Sequence, residues 1–471
     1  MSTGAKVGIG FGIFFGVILL AYLIGVVVFM GRVFPNTTLG NQDISLMSAE
    51  DLRAQLNSSA ENYKLSVTSS NGYSQTITAA DIDLENSNGS SMAEMVPGHN
   101  AFAWPVEIFK SHDVSDGVKI SYNQSQVDQL VSSAVDTYNA SAVMPVNASL
   151  SYSTTTNSFS ILSEVTGTAL DKSLVSMGVK QAIEKMSSTL VLDGTYQLKP
   201  TILSTDARLT TGLQAAQKMV AADVTYTLGG TAVTELNADV IGPMIKLDDN
   251  FTPQLDSDQL NAWATEIADS LCTVGSTRTY TRADGKVITV SGGVYGWSVD
   301  AETFANQVKA DAAEGATKTV AIECESEGNG FTAIGAADWG ARYIDVDLSE
   351  QHVRFYDATG IIWEADCVSG STLTAGRATP QGVWEVNGKE SPSTLIGYKA
   401  NGEKEYETKV TYWMPFEGNG VGFHDATWQP GFGGNLYQQG YGSHGCINLS
   451  YSAAESLYSI ITWGDVVVVH E

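Results

Sequence analysis

Apolar positions along this chain fall into three patterns, and each predicts a different kind of element. Residues 7–30 are 24 consecutive uncharged positions, mostly Val, Ile, Leu, Phe and Gly. As a helix they would extend about 36 Å at 1.5 Å per residue, against a hydrocarbon core of roughly 30 Å, so one tilted transmembrane pass is predicted. The run exceeds the roughly 7 to 15 apolar residues of a cleavable signal, and Met30-Gly31-Arg32-Val33 offers no small-x-small cleavage site. The segment is therefore expected to stay as an anchor. Lys6 and Arg32 nearly cancel in the positive-inside count, so flanking charge does not set its orientation.

The second pattern is helical. Residues 124–135 and 256–268 carry apolar side chains at i, i+3 and i+4 behind a polar start, and 48–56, 173–183 and 301–312 read the same way. The third is strand-like. Residues 161–167 lead through Gly167 to Asp171 and a helix, and 288–291 lead through Gly296 to Asp300 and a helix. Gly167 and Gly296 stand at the same offset of 129 as Asp171 and Asp300. An order of helix, strand, glycine turn, Asp cap and helix that occurs twice predicts duplication of an α+β unit.

The expected organisation is multi-domain: a short cytoplasmic tail over 1–6, a transmembrane helix over 7–30 and two α+β repeats over 31–210 and 211–335. A mostly-β catalytic domain follows over 340–471, ending in a strand over 465–470. At 471 residues, more than one core is expected from length alone.

Charge narrows the partners. With 25 Lys+Arg against 52 Asp+Glu the net charge is −27, which repels nucleic acid. Residues 340–471 hold sixteen acidic side chains against seven basic ones, so the acidity is spread and forms no tail. Only 16% of residues are charged, a balance that suits strand-and-loop ectodomains. Cys272, Cys324, Cys367 and Cys446 are too few and too scattered for a disulfide framework, and none sits in a CxxC spacing. The first three read as small buried apolar side chains, with a Cys272 to Cys324 bridge left open.

The chemistry concentrates at Ser443-His444-Gly445-Cys446-Ile447-Asn448-Leu449, at the end of a stretch with nine glycines from Gly418 to Gly445. A thiolate needs nearby positive charge or a base, and an oxyanion beside it needs exposed main-chain N–H groups. His444 and His424 could lower the thiol pKa of Cys446, and Gly445 would leave amides accessible. His-Glu-x-x-His and Ser-x-x-Lys are absent from the sequence. No metal or other cofactor is expected, and the serine penicillin-binding mechanism is excluded on motif grounds.

These residues resemble the active-site signature of the L,D-transpeptidases, cysteine enzymes that make 3→3 cross-links in bacterial peptidoglycan. The resemblance extends to Ile344-Asp345-Val346-Asp347-Leu348 with Gln351, to Thr379-Pro380-Gln381-Gly382-Val383-Trp384 and to Gly422-Phe423-His424-Asp425, in the family's order. It implies that Cys446 is the nucleophile and that His424 is the proton donor and acceptor, twenty-two residues upstream. Ser443, His444 and Gly445 would then line or shape the site. The family commonly has Gly after this histidine where this chain has Asp425, so the imidazole's orienting partner is either Asp425 or a backbone carbonyl. Trp428 and Tyr441 are the leading candidates for a peptide groove.

The resemblance implies a donor stem tetrapeptide attacked between its third residue and D-Ala, transfer to a side-chain amine of a neighbouring stem, and acylation by carbapenems. It also implies a single-pass cell-membrane protein whose catalytic domain faces the bacterial wall. The two repeats resemble peptidoglycan-binding repeats that precede this catalytic domain, and as exposed polar units they read equally well as spacers. Rival readings are a sortase-like thiol transpeptidase and a non-catalytic wall-binding anchor.

Overall fold

The computed structural model describes residues 3–114, 117–399, 401–418 and 420–471. Two compact units emerge: residues 1–149 with 162–204, and residues 150–161 with 205–471. The first begins with helix α1 (Thr3–Met30), whose segment Val7–Met30 is long and apolar enough to cross a membrane. Of the expected tail 1–6, residues 1 and 2 lie outside the described residues, and residues 3–6 continue the helix.

The chain then runs through α2 (Ala49–Glu61), β1 (Lys64–Ser69), β2 (Ser74–Thr78), α3 (Gln124–Asn139), the hairpin strands β3 (Ser149–Ser153) and β4 (Ser158–Leu162), α4 (Lys172–Glu184) and β5 (Thr189–Leu192). The side chains of Ser48, Asn123 and Asp171 cap α2, α3 and α4, which explains where each helix starts. β1 pairs antiparallel with β2 and parallel with β5, Ser66 opposite Thr189. Leu65, Val67, Ile77, Val127, Val131, Val175 and Val179 fill the core between this sheet and the helices.

The second unit repeats that plan. α5 (Ala207–Val220), β6 (Asp223–Leu228), β7 (Thr231–Leu236), α6 (Ser257–Leu271), the hairpin β8 (Arg278–Thr281) and β9 (Val287–Val290), α7 (Ala301–Glu314) and β10 (Thr317–Ala321) follow in the same order. β6 pairs antiparallel with β7 and parallel with β10, matching the first sheet strand for strand. Gly167 and Gly296 both take positive φ, +69° and +140°. A Cβ there would fall 2.4 Å from Val143 O and 2.3 Å from Arg278 Nη2, so both turns require glycine. The hairpin residues 150–161, expected within the first repeat, group with the second unit. Tyr152 donates to Ala238 O at 2.9 Å, and Gln217 donates to Phe159 O at 3.2 Å.

From residue 343 the chain is strand-rich: β11 (Tyr343–Asp347), β12 (His352–Asp357), β13 (Gly360–Asp366), β14 (Gly382–Glu385), β15 (Ser393–Tyr398), β16 (Lys404–Val410), β17 (Trp413–Glu417), β18 (Val421–Asp425), β19 (Ile447–Leu449), helix α8 (Tyr451–Ile460) and β20 (Val466–His470). One sheet runs in the order β13-β12-β11-β20-β14 and another β17-β18-β19, while β15 and β16 form a separate hairpin. Ile344, Val346, Phe355, Phe423, Ile447, Leu449, Leu457 and Val467 form a single core cluster. Among the described residues all four cysteines are free thiols.

The hairpin β8/β9 fastens the second repeat to this domain. Arg282, 2% exposed, reaches Asp345 at 3.1 Å, Asp347 at 3.0 Å and Glu350 at 2.9 Å. Tyr280 donates to Asp345 at 2.6 Å, and His470 Nε2 lies 3.1 Å from the same oxygen. Burial pushes the Asp345 carboxyl up, but His470, Tyr280 and Arg282 outweigh it and hold the group below the usual carboxylate range. Arg282→Met should therefore cost about 3–5 kcal/mol in urea denaturation at neutral pH, because buried Asp345 loses its guanidinium partner and buried Asp347 keeps only Lys286. A depressed native pKa stabilises above the unfolded value of about 3.9 and that stability is lost on acidification, so the gap between variant and parent should narrow below about pH 4.

Candidate functional site

β18 and β19 run parallel with Phe423 opposite Ile447, His424 opposite Asn448 and Asp425 opposite Leu449. Side chains alternate along a strand, and Phe423, Ile447 and Leu449 are fully buried in the core. The intervening residues therefore face the other way. His424, Asn448 and Cys446, one step before β19, line an open cleft of about 310 Å³ together with Trp428, Tyr441, Ser443 and His444. A second cavity of about 300 Å³, lined by Ser393, Ile396, Trp413 and Gly420, also reaches Cys446. Leu395 and Tyr406 of the β15/β16 hairpin border both cavities, so the thiol is approached from two sides.

The turn that presents Cys446 is tied on itself. Ser443 Oγ donates to Cys446 O at 2.6 Å and accepts from Gly445 N at 3.0 Å. Thr379 Oγ1 donates to Gly445 O at 2.8 Å, which gives the threonine of the Thr379-to-Trp384 segment its place. Gly445 sits at φ +129°, in the region that favours glycine. Its N–H is already engaged by Ser443.

Cys446 is 6% exposed, with Sγ 3.6 Å from Gly420 O. Burial pushes its thiol up to about 11, opposed by the main-chain N–H groups of Gly422 and Cys446. His424 is 4% exposed, and burial pushes its pKa below the ordinary value. The lowered thiol pKa expected from nearby histidines is thus overturned in the resting site. Desolvation disfavours both charged forms.

His424 Nδ1 lies 3.0 Å from the main-chain oxygen of Asp425. A carbonyl only accepts, so Nδ1 carries the proton and Nε2 keeps its lone pair. The Asp425 carboxylate points elsewhere, accepting from Thr411 N at 2.7 Å and Tyr412 N at 2.8 Å. Of the two partners the sequence left open, the carbonyl is the one at the imidazole. The rings of Trp413 and Trp428 flank His424 at 6.0 and 5.9 Å.

His444 sits on the rim with its ring 4.8 Å from that of Tyr406 and Nε2 3.4 Å from Glu405, which also pairs with Arg377 at 2.5 Å. Trp428 and Tyr441 are about half exposed at the mouth of the cleft, and Gln429 donates to Tyr441 O at 2.8 Å. Two features went unassigned in the sequence. Asn448 is buried beside His424, and its Oδ1 has no hydrogen-bond partner among the described residues. The period-two spacing from Cys446 was the available signal for it. Tyr406 and Leu395 lie on a hairpin that carries no motif, and nothing local marked them.

The model of the YkuD family, the L,D-transpeptidase catalytic domain, matches residues 341–469. Among curated proteins no relative matches the chain. Among solved structures, a cysteine-to-serine mutant of the Enterococcus faecium L,D-transpeptidase is 30% identical, covering 55% of this chain and 98% of that one, with a TM-score of 0.47. The catalytic domain of the E. faecium enzyme is 43% identical over 27% of this chain and 95% of that one, with a TM-score of 0.25. The same domain acylated by ertapenem is 42% identical over 28% and 97%, with a TM-score of 0.25. With the family model matched from end to end of the strand-rich domain, residues 341–469 belong to the YkuD family of L,D-transpeptidase catalytic domains.

Proposed function

We propose that this protein is a peptidoglycan L,D-transpeptidase that forms 3→3 cross-links through a thioester on Cys446. The observation that carries the reading is the shared face of β18 and β19, which brings a buried thiol and a singly protonated imidazole to the same cleft. His424 Nε2 takes the proton as Sγ attacks the carbonyl between the third residue and D-Ala of a donor stem. The imidazolium returns that proton to the departing D-Ala amine, leaving the acyl group on sulfur. A side-chain amine of a second stem then attacks the thioester, passes its proton through His424 to the leaving thiol, and closes the new amide.

The resting pair is neutral, so sulfur becomes an anion only as the carbonyl is attacked. The main-chain N–H groups of Gly422 and Cys446 already favour negative charge at that spot. Two cavities meeting at Cys446 give separate approaches for donor and acceptor, and a dry thiol favours amines over water. Asp425 positions His424 through its main-chain oxygen, Ser443, His444 and Gly445 shape the turn and rim, and Trp428 and Tyr441 hold the stem peptide. Retention of α1 as a membrane anchor, with the catalytic domain facing the wall, completes the reading, and carbapenems are expected to acylate the same thiol.

Intact-mass measurement after carbapenem treatment should find one adduct on the parent and none on Cys446→Ala; an unmodified parent would sink the assignment. With disaccharide-tetrapeptides of defined third residue, His424→Ala should lower kcat/KM by about 10²–10⁴. The alkylation rate of Cys446 should keep rising towards pH 11, since burial pushes the thiol up to about 11; a plateau near neutrality would show a preformed ion pair. Asp425→Asn keeps both the main-chain oxygen and an Oδ1 acceptor, so it should retain activity within about threefold, whereas a carboxylate that oriented the imidazole would cost closer to 10²-fold.

A further inference from the structure

The upper part of α1 is built into the fold of the first unit. A short helical segment, Ala101–Ala103 continuing into Trp104–Glu107, packs directly on it. Trp104 Nε1 donates to Tyr22 O at 3.0 Å, and Tyr22 OH donates back to Phe102 O at 2.9 Å. A Cβ on Gly25 would fall 2.3 Å from the Trp104 indole, so the ring occupies the space a side chain would need. Phe29 stacks on Trp104 at 6.0 Å, and His99 Nε2 lies 2.7 Å from Phe29 O.

The other face of this segment is bare. Phe102, Val106 and Phe109 are 56%, 59% and 82% exposed and are spaced i, i+4, i+7, so they form one apolar stripe. It continues an apolar surface already present on α1, where Val17, Leu20, Leu23, Ile24 and Val27 are also exposed. The segment's backbone suits lipid: Asn100 caps Phe102 N at 3.1 Å, and Ala103, Ile108 and Lys110 donate to Asn100, Trp104 and Glu107 carbonyls. Its charges are paired at one end, Glu107 lying 2.7 Å from Lys110 and 3.6 Å from His112. Tyr22 lies eight residues before Met30, about 12 Å below the top of the helix, so the contact with Trp104 is made within the depth of the membrane-spanning segment.

We propose that residues 99–110 form a collar in the lipid bilayer around the upper end of α1, with Phe102, Val106 and Phe109 inserted among the acyl chains. The occupant of the stripe is lipid, because the segment that bears it is hydrogen-bonded to the membrane-spanning helix at Tyr22. The proposal rests on α1 being retained as an anchor. The first repeat is then seated at the membrane by two elements, and removal of α1 would strip Trp104 and Phe34 of their packing partner.

The full chain, reconstituted in phosphatidylcholine nanodiscs with brominated acyl chains, tests this with Phe109→Trp read as a difference from the parent. Val191→Trp, at a strand position 67% exposed, is the water-facing control. The added emission of Phe109→Trp should fall about twofold in brominated lipid and resist aqueous iodide, as an interfacial side chain does, with the reverse for Val191→Trp. A Phe109→Trp signal that iodide quenches as strongly as the control, with no effect of bromine, overturns the collar while leaving the anchor intact. An intact mass of the membrane-purified protein that begins after residue 30 overturns the anchor and the collar together.

Discussion

The parallel register of β18 and β19 is the constraint on which the site depends. Because side chains alternate, placing Phe423 opposite Ile447 sends both into the core and turns His424, Cys446 and Asn448 into the cleft. A slip of one residue would bury the imidazole among Val346, Phe355 and Val467 and bring Phe423 to the cleft. Core packing thus enforces this arrangement, since the residues on the core face of the pairing, Phe423, Ile447 and Leu449, are apolar and fully buried. The pairing also explains why residues 22 positions apart in sequence can act together without any motif linking them.

The same burial sets the electrostatics. A sheet face that packs tightly enough to hold the register excludes water, and a dry thiol and a dry imidazole both resist charge. The site therefore rests uncharged. Tautomer control is correspondingly simple. One carbonyl, that of Asp425, decides which nitrogen faces the cleft, and the Asp425 carboxylate is left to close the turn at Thr411 and Tyr412.

The family motif and the general architecture were legible in the sequence because each rests on local pattern. Asp171 and Asp300 were visible as caps, and Gly167 and Gly296 as turns, because the two copies keep an offset of 129 there. The other half of the repeat was hidden: β1 and β6 start at residues 64 and 223, 159 apart, because extra short elements lie between β2 and α3 in the first copy. Asn448 stood inside the quoted motif without a role, since only the pairing with His424 shows which way it points. The thiol pKa was misread because histidines near in sequence suggest charge, whereas burial decides it. Arg282 passed as an ordinary hairpin residue, its carboxylates lying more than sixty positions away.

Arg282 matters beyond stability because its partners lead to the turn of Cys446 by direct bonds. Asp347 Oδ1 accepts from Ser349 N and Glu350 N, fixing the turn that delivers Gln351, which is buried at φ +50°. Gln351 donates to Ser369 Oγ at 2.8 Å and accepts from Ser369 N at 2.9 Å. Ser443 N then donates to Ser369 O at 3.0 Å, and Ser443 Oγ holds Cys446 O. Each link is a short bond between buried or half-buried groups, so the chain acts as a rigid frame. A second repeat that supplies the cation for Asp345 and Asp347 therefore does more than hold the catalytic domain at a distance. Its hairpin completes the electrostatics of the strand from which the Cys446 turn is hung, which is a physical reason for the repeat and the strand-rich domain to form one compact unit.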